Sequence, residues 1–223
     1  MSTSRKTIIA MDGMSKEDSL ALAQETKGMV WGFKLHELLL REHIGDLIQE
    51  FKAYGNVFAD LKFHDIPDKV YQEVTALTEF GADLMTVHAS GGKAMLEQAV
   101  AAGGARVVAV TALTSLTEED TATIYQKTPQ ETVETLATLA ETSGVSNIVC
   151  SPHEIPVVKR VAPQTNIITP GIRAETDEKH DQKRTMSAPE AVSAGAGLLV
   201  IGRPITKAPQ PREALQAILD SLA

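Results

Sequence analysis

The sequence predicts a single (β/α)8 barrel, and three observations carry that expectation. Eight short apolar runs alternate with eight helical patterns along 223 residues; this alternation builds a parallel sheet, and eight strands close it. Each run ends in polar or small residues, as strands do when their C-terminal ends share one mouth. Gly81-Ala82-Asp83-Leu84-Met85-Thr86-Val87 is echoed by Gly195-Ala196-Gly197-Leu198-Leu199-Val200-Ile201, which sets strands four and eight at equivalent points of two half-barrels. A doubly wound open sheet is the alternative. One domain is expected over 1–223, because α/β barrels of this length are commonly undivided.

The elements follow from local chemistry. Thr7 to Met11 reads as strand one, and Ser15 caps a helix to Lys27, with Asp18 at its capping-box position and Gly28 as its stop. Met29 to Phe33 is strand two, ending at Lys34. A helix from Glu37 to Tyr54 carries Leu40, Ile44, Leu47, Ile48 and Phe51 at helical spacing. Strand three opens at Asn56 and runs into Asp60-Leu61-Lys62-Phe63-His64-Asp65-Ile66-Pro67, where Pro67 suits the first turn of a helix to Phe80. Asp83 to Val87 is strand four, ending at His88; Ser90-Gly91-Gly92 opens a helix to Ala102, and Arg106 to Val110 is strand five, ending at Thr111. Thr128-Pro129-Gln130-Glu131 starts a helix to Glu141, and Asn147 to Cys150 is strand six, before a capping box at Ser151 to Glu154. Thr165 to Thr169 is strand seven. Ser187 to Glu190 caps a helix ending near Gly195; Leu198 to Ile201 is strand eight, and Arg212 to Leu222 is the last helix. Two polar connections, about 113–127 (with room for a short helix) and 172–184, are too long to be mere links and are expected to be lid loops at the mouth.

Composition removes several function classes. A net charge of -8 and a pI near 5.3 argue against a nucleic-acid partner held by phosphate neutralisation. Cys150 is the single cysteine, so neither an intrachain disulfide nor a cysteine metal cluster can form. The opening Met1 to Lys6 leads into a strand-length run, and no apolar run approaches bilayer length. A soluble, cytoplasmic protein without a membrane partner is expected.

The strand ends gather Asp12, Lys34, Asp60 with Lys62, His88, Thr111, Cys150 with Ser151, Pro170, and Gly202 with Arg203. Stability alone does not ask for two lysines and two aspartates there. Asp60 and Lys62, two apart on a strand, would leave one face together, an acid and a base aimed into one space. Bland readings stand beside these: Asp12 as a helix cap, His88 as a buried histidine on a carbonyl, Ser151 as an N-cap, Cys150 as a small core residue. After strand eight, Gly202 allows close backbone approach and Arg203 supplies a guanidinium fork, a pairing suited to phosphate; Gln182 could reach the same group when its loop closes. No nucleophile elbow, zinc-protease motif or metal-ligand cluster is present.

These residues resemble one family. Asp60-x-Lys62-x-x-Asp65-Ile66-Pro67, Phe33-Lys34, Val110-Thr111-Ala112-Leu113-Thr114-Ser115, Thr169-Pro170-Gly171-Ile172-Arg173, Asp181-Gln182 and Ile201-Gly202-Arg203-Pro204 together resemble the orotidine 5'-phosphate decarboxylases over essentially the whole chain. The resemblance implies decarboxylation of orotidine 5'-monophosphate to UMP without metal or organic cofactor. It implies Lys62 as proton donor to C6, within an array of Lys34, Asp60, Lys62 and Asp65. Asp12 and Lys34 would hold ribose hydroxyls, Thr114 would lie near the base, and Arg173, Gln182, Gly202 and Arg203 would serve the phosphate or its lid. Asp65 and Ile66 would reach the neighbouring subunit's site, which implies a homodimer.

Two rivals keep the barrel. The 3-keto-gulonate 6-phosphate decarboxylases and hexulose phosphate synthases share the Asp-x-Lys-x-x-Asp pattern but use Mg2+, and in them a glutamate that helps hold the metal ends strand two. Here that place is Lys34, a cation where a cation should bind. A non-catalytic phosphate-ligand sensor should have lost a member of the charged array, and none is missing.

Overall fold

The structure, a computed structural model, describes residues 6–173 and 185–222. Eight parallel strands close into a barrel in sequence order, with β1 pairing both β2 and β8. They are β1 Thr7–Ala10, β2 Gly32–Leu35, β3 Asn56–Phe63, β4 Leu84–His88, β5 Val107–Val110, β6 Asn147–Val149, β7 Asn166–Thr169 and β8 Leu198–Ile201. The helices between them are α1 Lys16–Glu25, α2 Glu37–Arg41, α3 Ile44–Lys52, α4 Pro67–Glu79, α5 Lys93–Gly103, α6 Glu118–Tyr125, α7 Pro129–Thr142, α8 Ile155–Val161, α9 Ala188–Ala194, α10 Arg203–Thr206 and α11 Pro211–Ser221. No described helix is long and apolar enough to cross a membrane.

The strands' two-residue period divides the core. Ile8, Phe58, Leu84, Val108, Ile168 and Val200 fill the barrel interior. Their neighbours Ile9, Val57, Met85, Ala109, Ile167 and Leu199 face outward under the helices. Two residues beyond an inner residue, the same parity emerges at the mouth: Ala10 leads to Asp12, Phe58 to Asp60, Leu84 to Thr86, Ile168 to Pro170 and Val200 to Gly202. Strand parity therefore delivers the site.

The caps read at Ser15, Thr128 and Ser187 hold. The Thr128 hydroxyl accepts from the Glu131 N–H while the Glu131 carboxylate accepts from the Thr128 N–H at 2.9 Å, and Ser187 with Glu190 repeats the arrangement. The expected helix over Glu37 to Tyr54 is instead two, because Glu42 is extended (φ -113, ψ 168). The phase of the apolar residues explains the break. A helix burying Leu38 and Leu39 would bring Glu42 and His43 onto its buried face one turn later, whereas restarting at Ile44 lets Leu47, Ile48 and Phe51 point inward. Strand two begins at Gly32 and not at Met29; a Cβ on Gly32 would lie 2.0 Å from the Asn56 carbonyl oxygen, so only glycine fits that approach. The short α10 directly after β8 was not foreseen.

Candidate active site

The charged residues meet as a chain of ion pairs. Lys34 Nζ lies 2.7 Å from Asp12 Oδ1 and 3.2 Å from Asp60 Oδ2, and Lys62 Nζ lies 2.8 Å from Asp60 Oδ1. Asp12, Lys34, Asp60 and Lys62 thus alternate in sign across β1, β2 and β3. Burial alone would raise the Asp60 pKa, but Lys34 and Lys62 outweigh it and hold the carboxyl below its usual value. Burial alone would lower the Lys34 pKa, but Asp60 and Asp12 outweigh it and hold the ammonium above its usual value. Asp12 serves this pair, while the cap of α1 is Ser15.

Lys62 reaches Asp60 by an unexpected route. Phe58 and Ala59 of β3 pair with Leu84 and Met85 of β4, yet the next pair is Phe63 with Val87. Asp60, Leu61 and Lys62 therefore stand opposite Thr86 alone, a bulge that bends the strand. Lys62 takes φ 53, and with Gln126 it is one of two described non-glycine residues in that region. The two side chains converge as the alternation reading expects, but the backbone between them is not regular strand.

Two further residues complete the cluster and escaped the sequence reading. Thr86, which is 1% exposed, donates its hydroxyl to Asp60 Oδ1 at 3.0 Å and accepts the Lys62 N–H at 2.8 Å. His36 Nδ1 lies 2.6 Å from the Asp60 carbonyl oxygen, which can only accept, so Nδ1 carries the proton. A lone threonine within the apolar run Leu84-Met85-Thr86-Val87 was the available signal. His88 packs beside His64, with ring centroids 5.3 Å apart, and burial together with His64 and Lys62 pushes its pKa down. Cys150 is a buried core residue whose thiol burial pushes well up, so it offers no thiolate nucleophile.

Two adjoining cavities share Asp12, Lys34, Pro170 and Val200 in their walls. The first, about 260 Å³, is walled by Asp60, Lys62, Thr114 and apolar residues such as Phe58 and Val110. The second, about 410 Å³, is walled by Gly171, Arg173, Gly202, Arg203 and Lys207. A Cβ at Gly202 would meet only ordinary contacts with Ala10. A third cavity of about 420 Å³, between α9 and α11, shares Arg173 with the second, is lined mainly by apolar residues and does not include the charged chain. Asp65 and Ile66 stand apart on the exposed turn before α4, where the Asp65 carboxylate accepts the Ile66 N–H at 2.6 Å and Ile66 is 62% exposed. Gln182 lies outside the described residues, as does most of the 172–184 connection. The 113–127 connection holds α6, capped by Thr117 and Asp120. Among the described residues, no group of three or more His, Cys, Asp or Glu is arranged to hold a metal ion.

Known proteins resemble this chain over nearly its whole length. The profile of the Orotidine 5'-phosphate decarboxylase / HUMPS family matches residues 5–218. A relative from Dichelobacter nodosus named orotidine 5'-phosphate decarboxylase is 40% identical, over 96% of this chain and 97% of its own. One of the same name from Pseudomonas aeruginosa is 38% identical, over 96% of each. The crystal structure of orotidine 5'-phosphate decarboxylase from Lactobacillus acidophilus superposes with a TM-score of 0.80 at 30% identity, over 98% of this chain and 99% of that one. With a family profile spanning nearly its whole length and relatives this similar over nearly all of theirs, the chain belongs to the orotidine 5'-phosphate decarboxylase / HUMPS family.

Proposed function

We propose that this protein decarboxylates orotidine 5'-monophosphate to UMP and CO2, in the cytoplasm, as a step of pyrimidine nucleotide synthesis. The observation that carries the reading is the alternating chain Asp12, Lys34, Asp60, Lys62, with a lysine at the end of β2. Lys34 also disfavours the Mg2+-dependent members of the family, since its ammonium occupies the place where an acid would help hold the metal.

Loss of CO2 breaks the bond at C6 and leaves its electron pair in the ring plane, where the π system delocalises it poorly. Fixed positive charge in a site of low dielectric is the remedy available without an electron sink. Lys62 is the ammonium placed for this role: it stabilises the pair on C6 and then transfers a proton to it, giving UMP and a neutral amine that solvent reprotonates. Asp60 holds Lys62 and lies where it would face the departing carboxylate. The base would occupy the smaller cavity near Thr114, and the phosphate the larger one, beside Gly202, Arg203 and Arg173, with Gln182 closing over it. Asp12 and Lys34, common to both walls, suit the ribose hydroxyls between them. Phosphate binding far from C6 would drive closure of the loops at about 113–127 and 172–184 and supply remote binding energy to the chemical step.

The functional unit in this reading is a homodimer. Asp65 and Ile66 are exposed beside the mouth and would reach the partner's site, completing the array there. Sedimentation of the purified protein should give twice the monomer mass, and a monomer active at all concentrations would exclude shared sites. The activity is tested by loss of orotate ultraviolet absorbance with EDTA present. Rapid loss with UMP as product is expected. Inactivity with EDTA, and turnover of a sugar phosphate once Mg2+ is restored, would assign the protein to the metal-dependent branch.

A further inference from the structure

We propose that Thr86 is a positioning residue for the reacting ammonium, its one hydroxyl fixing both the backbone at Lys62 and the carboxylate of Asp60. The kinetic consequence rests on the decarboxylase reading; the geometry rests on the sheet alone. The β3 bulge sets three residues against one, so the regular ladder has no register in which Lys62 can pair. Thr86 Oγ1 accepts the Lys62 N–H at 2.8 Å in place of a strand carbonyl. That bond supports a lysine at φ 53, a conformation unfavourable for an L-residue that persists only when its surroundings hold it.

The polarity of the arrangement is forced. A backbone N–H can only donate and an ionised carboxylate can only accept, so the hydroxyl must take the first with a lone pair and give its proton to the second, at 3.0 Å. Asp60 Oδ1, the oxygen that receives this proton, also faces Lys62 Nζ at 2.8 Å. The circuit closes on itself: Thr86 sets the Lys62 backbone, and through Asp60 it sets where the Lys62 side chain ends. Branching at Cβ restricts the rotamers of Thr86, and its 1% exposure leaves no solvent to replace the hydroxyl.

Thr86→Val keeps the shape and removes both bonds, whereas Thr86→Ser keeps the hydroxyl. The valine variant is expected to lose about tenfold to a hundredfold in kcat while UMP affinity by calorimetry stays within about threefold, and the serine variant to recover most of the loss. In a crystal structure of the valine variant, Lys62 should leave the positive-φ region or the Asp60 carboxylate should turn away from Lys62. A valine variant with kcat within about twofold of wild type would overturn the proposal, as would parallel loss of kcat, UMP affinity and Tm that serine does not rescue. Unchanged Lys62 and Asp60 geometry in that crystal structure would overturn it whatever the activity. Inactive wild-type protein would instead count against the decarboxylase reading, with the crystallographic comparison still deciding the role of Thr86.

Discussion

β4 and β8 begin alike and end differently. Each follows a Gly-Ala pair, each places Leu in the barrel interior, and each packs its next residue, Met85 or Leu199, under the helices. Then β4 has Thr86 and His88 where β8 has Val200 and Gly202. Thr86 is bonded into the ion-pair chain, while Val200 lines both cavities as plain apolar wall. His88 packs against His64, and Gly202 sits beside Ala10 just before α10. One architecture thus serves two tasks. The first half of the barrel holds charge against charge, and in the proposed reading the second half would hold a nucleotide's apolar and phosphate surfaces.

The sharpest way to separate those tasks is at Lys62. Lys62→Ala should reduce turnover by at least about a thousandfold while UMP affinity, measured by calorimetry, stays near that of wild type. Near-normal turnover would sink its role as proton donor. The complementary change is Arg203→Ala. It should lower kcat/KM for the nucleotide about tenfold to a hundredfold, the scale of a charge-assisted hydrogen bond, and leave turnover of the unphosphorylated nucleoside unchanged. If the nucleoside suffers equally, Arg203 is not a phosphate ligand.

The smallest effect concerns pH. Because burial, His64 and Lys62 depress the His88 pKa below 6.5, its neutral form contributes stability that is present above that pH and lost as pH falls toward the folded value. His88→Asn should therefore show a smaller fall in Tm than wild type between about pH 8 and about pH 5. The ion-pair chain works over a wider window. Asp60, held low, contributes stability above the ordinary carboxylate value of 3.8, and Lys34, held high, contributes it below 10.5. Each contribution fades only beyond those limits, so the His88 comparison can be read between them. An equal fall in both proteins would show that His88 is not the titrating group.

Much of the molecule was legible because its determinants are local. A capping threonine with a glutamate three residues on starts a helix wherever it falls, as at Thr128, and a short continuous apolar run makes a strand buried on both faces, as at Val107 to Val110. Strand parity then carries polar residues to the mouth, which is why Asp12, Lys34, Asp60 and Lys62 could be named from spacing and order. Tertiary structure decided the rest. The break at Glu42 depends on which face of α2 meets the barrel. The bulge at Lys62 depends on a register fixed by β4, 24 residues on in the Lys62 to Thr86 bond, and no local pattern encodes pairing between segments that far apart. Thr86 looks like one polar residue in an apolar strand until the sheet closes and sets its hydroxyl against Asp60. The sequence determined which groups arrive at the mouth; the nonlocal register determined how they are held, because hydrogen-bond geometry exists only after the strands have paired.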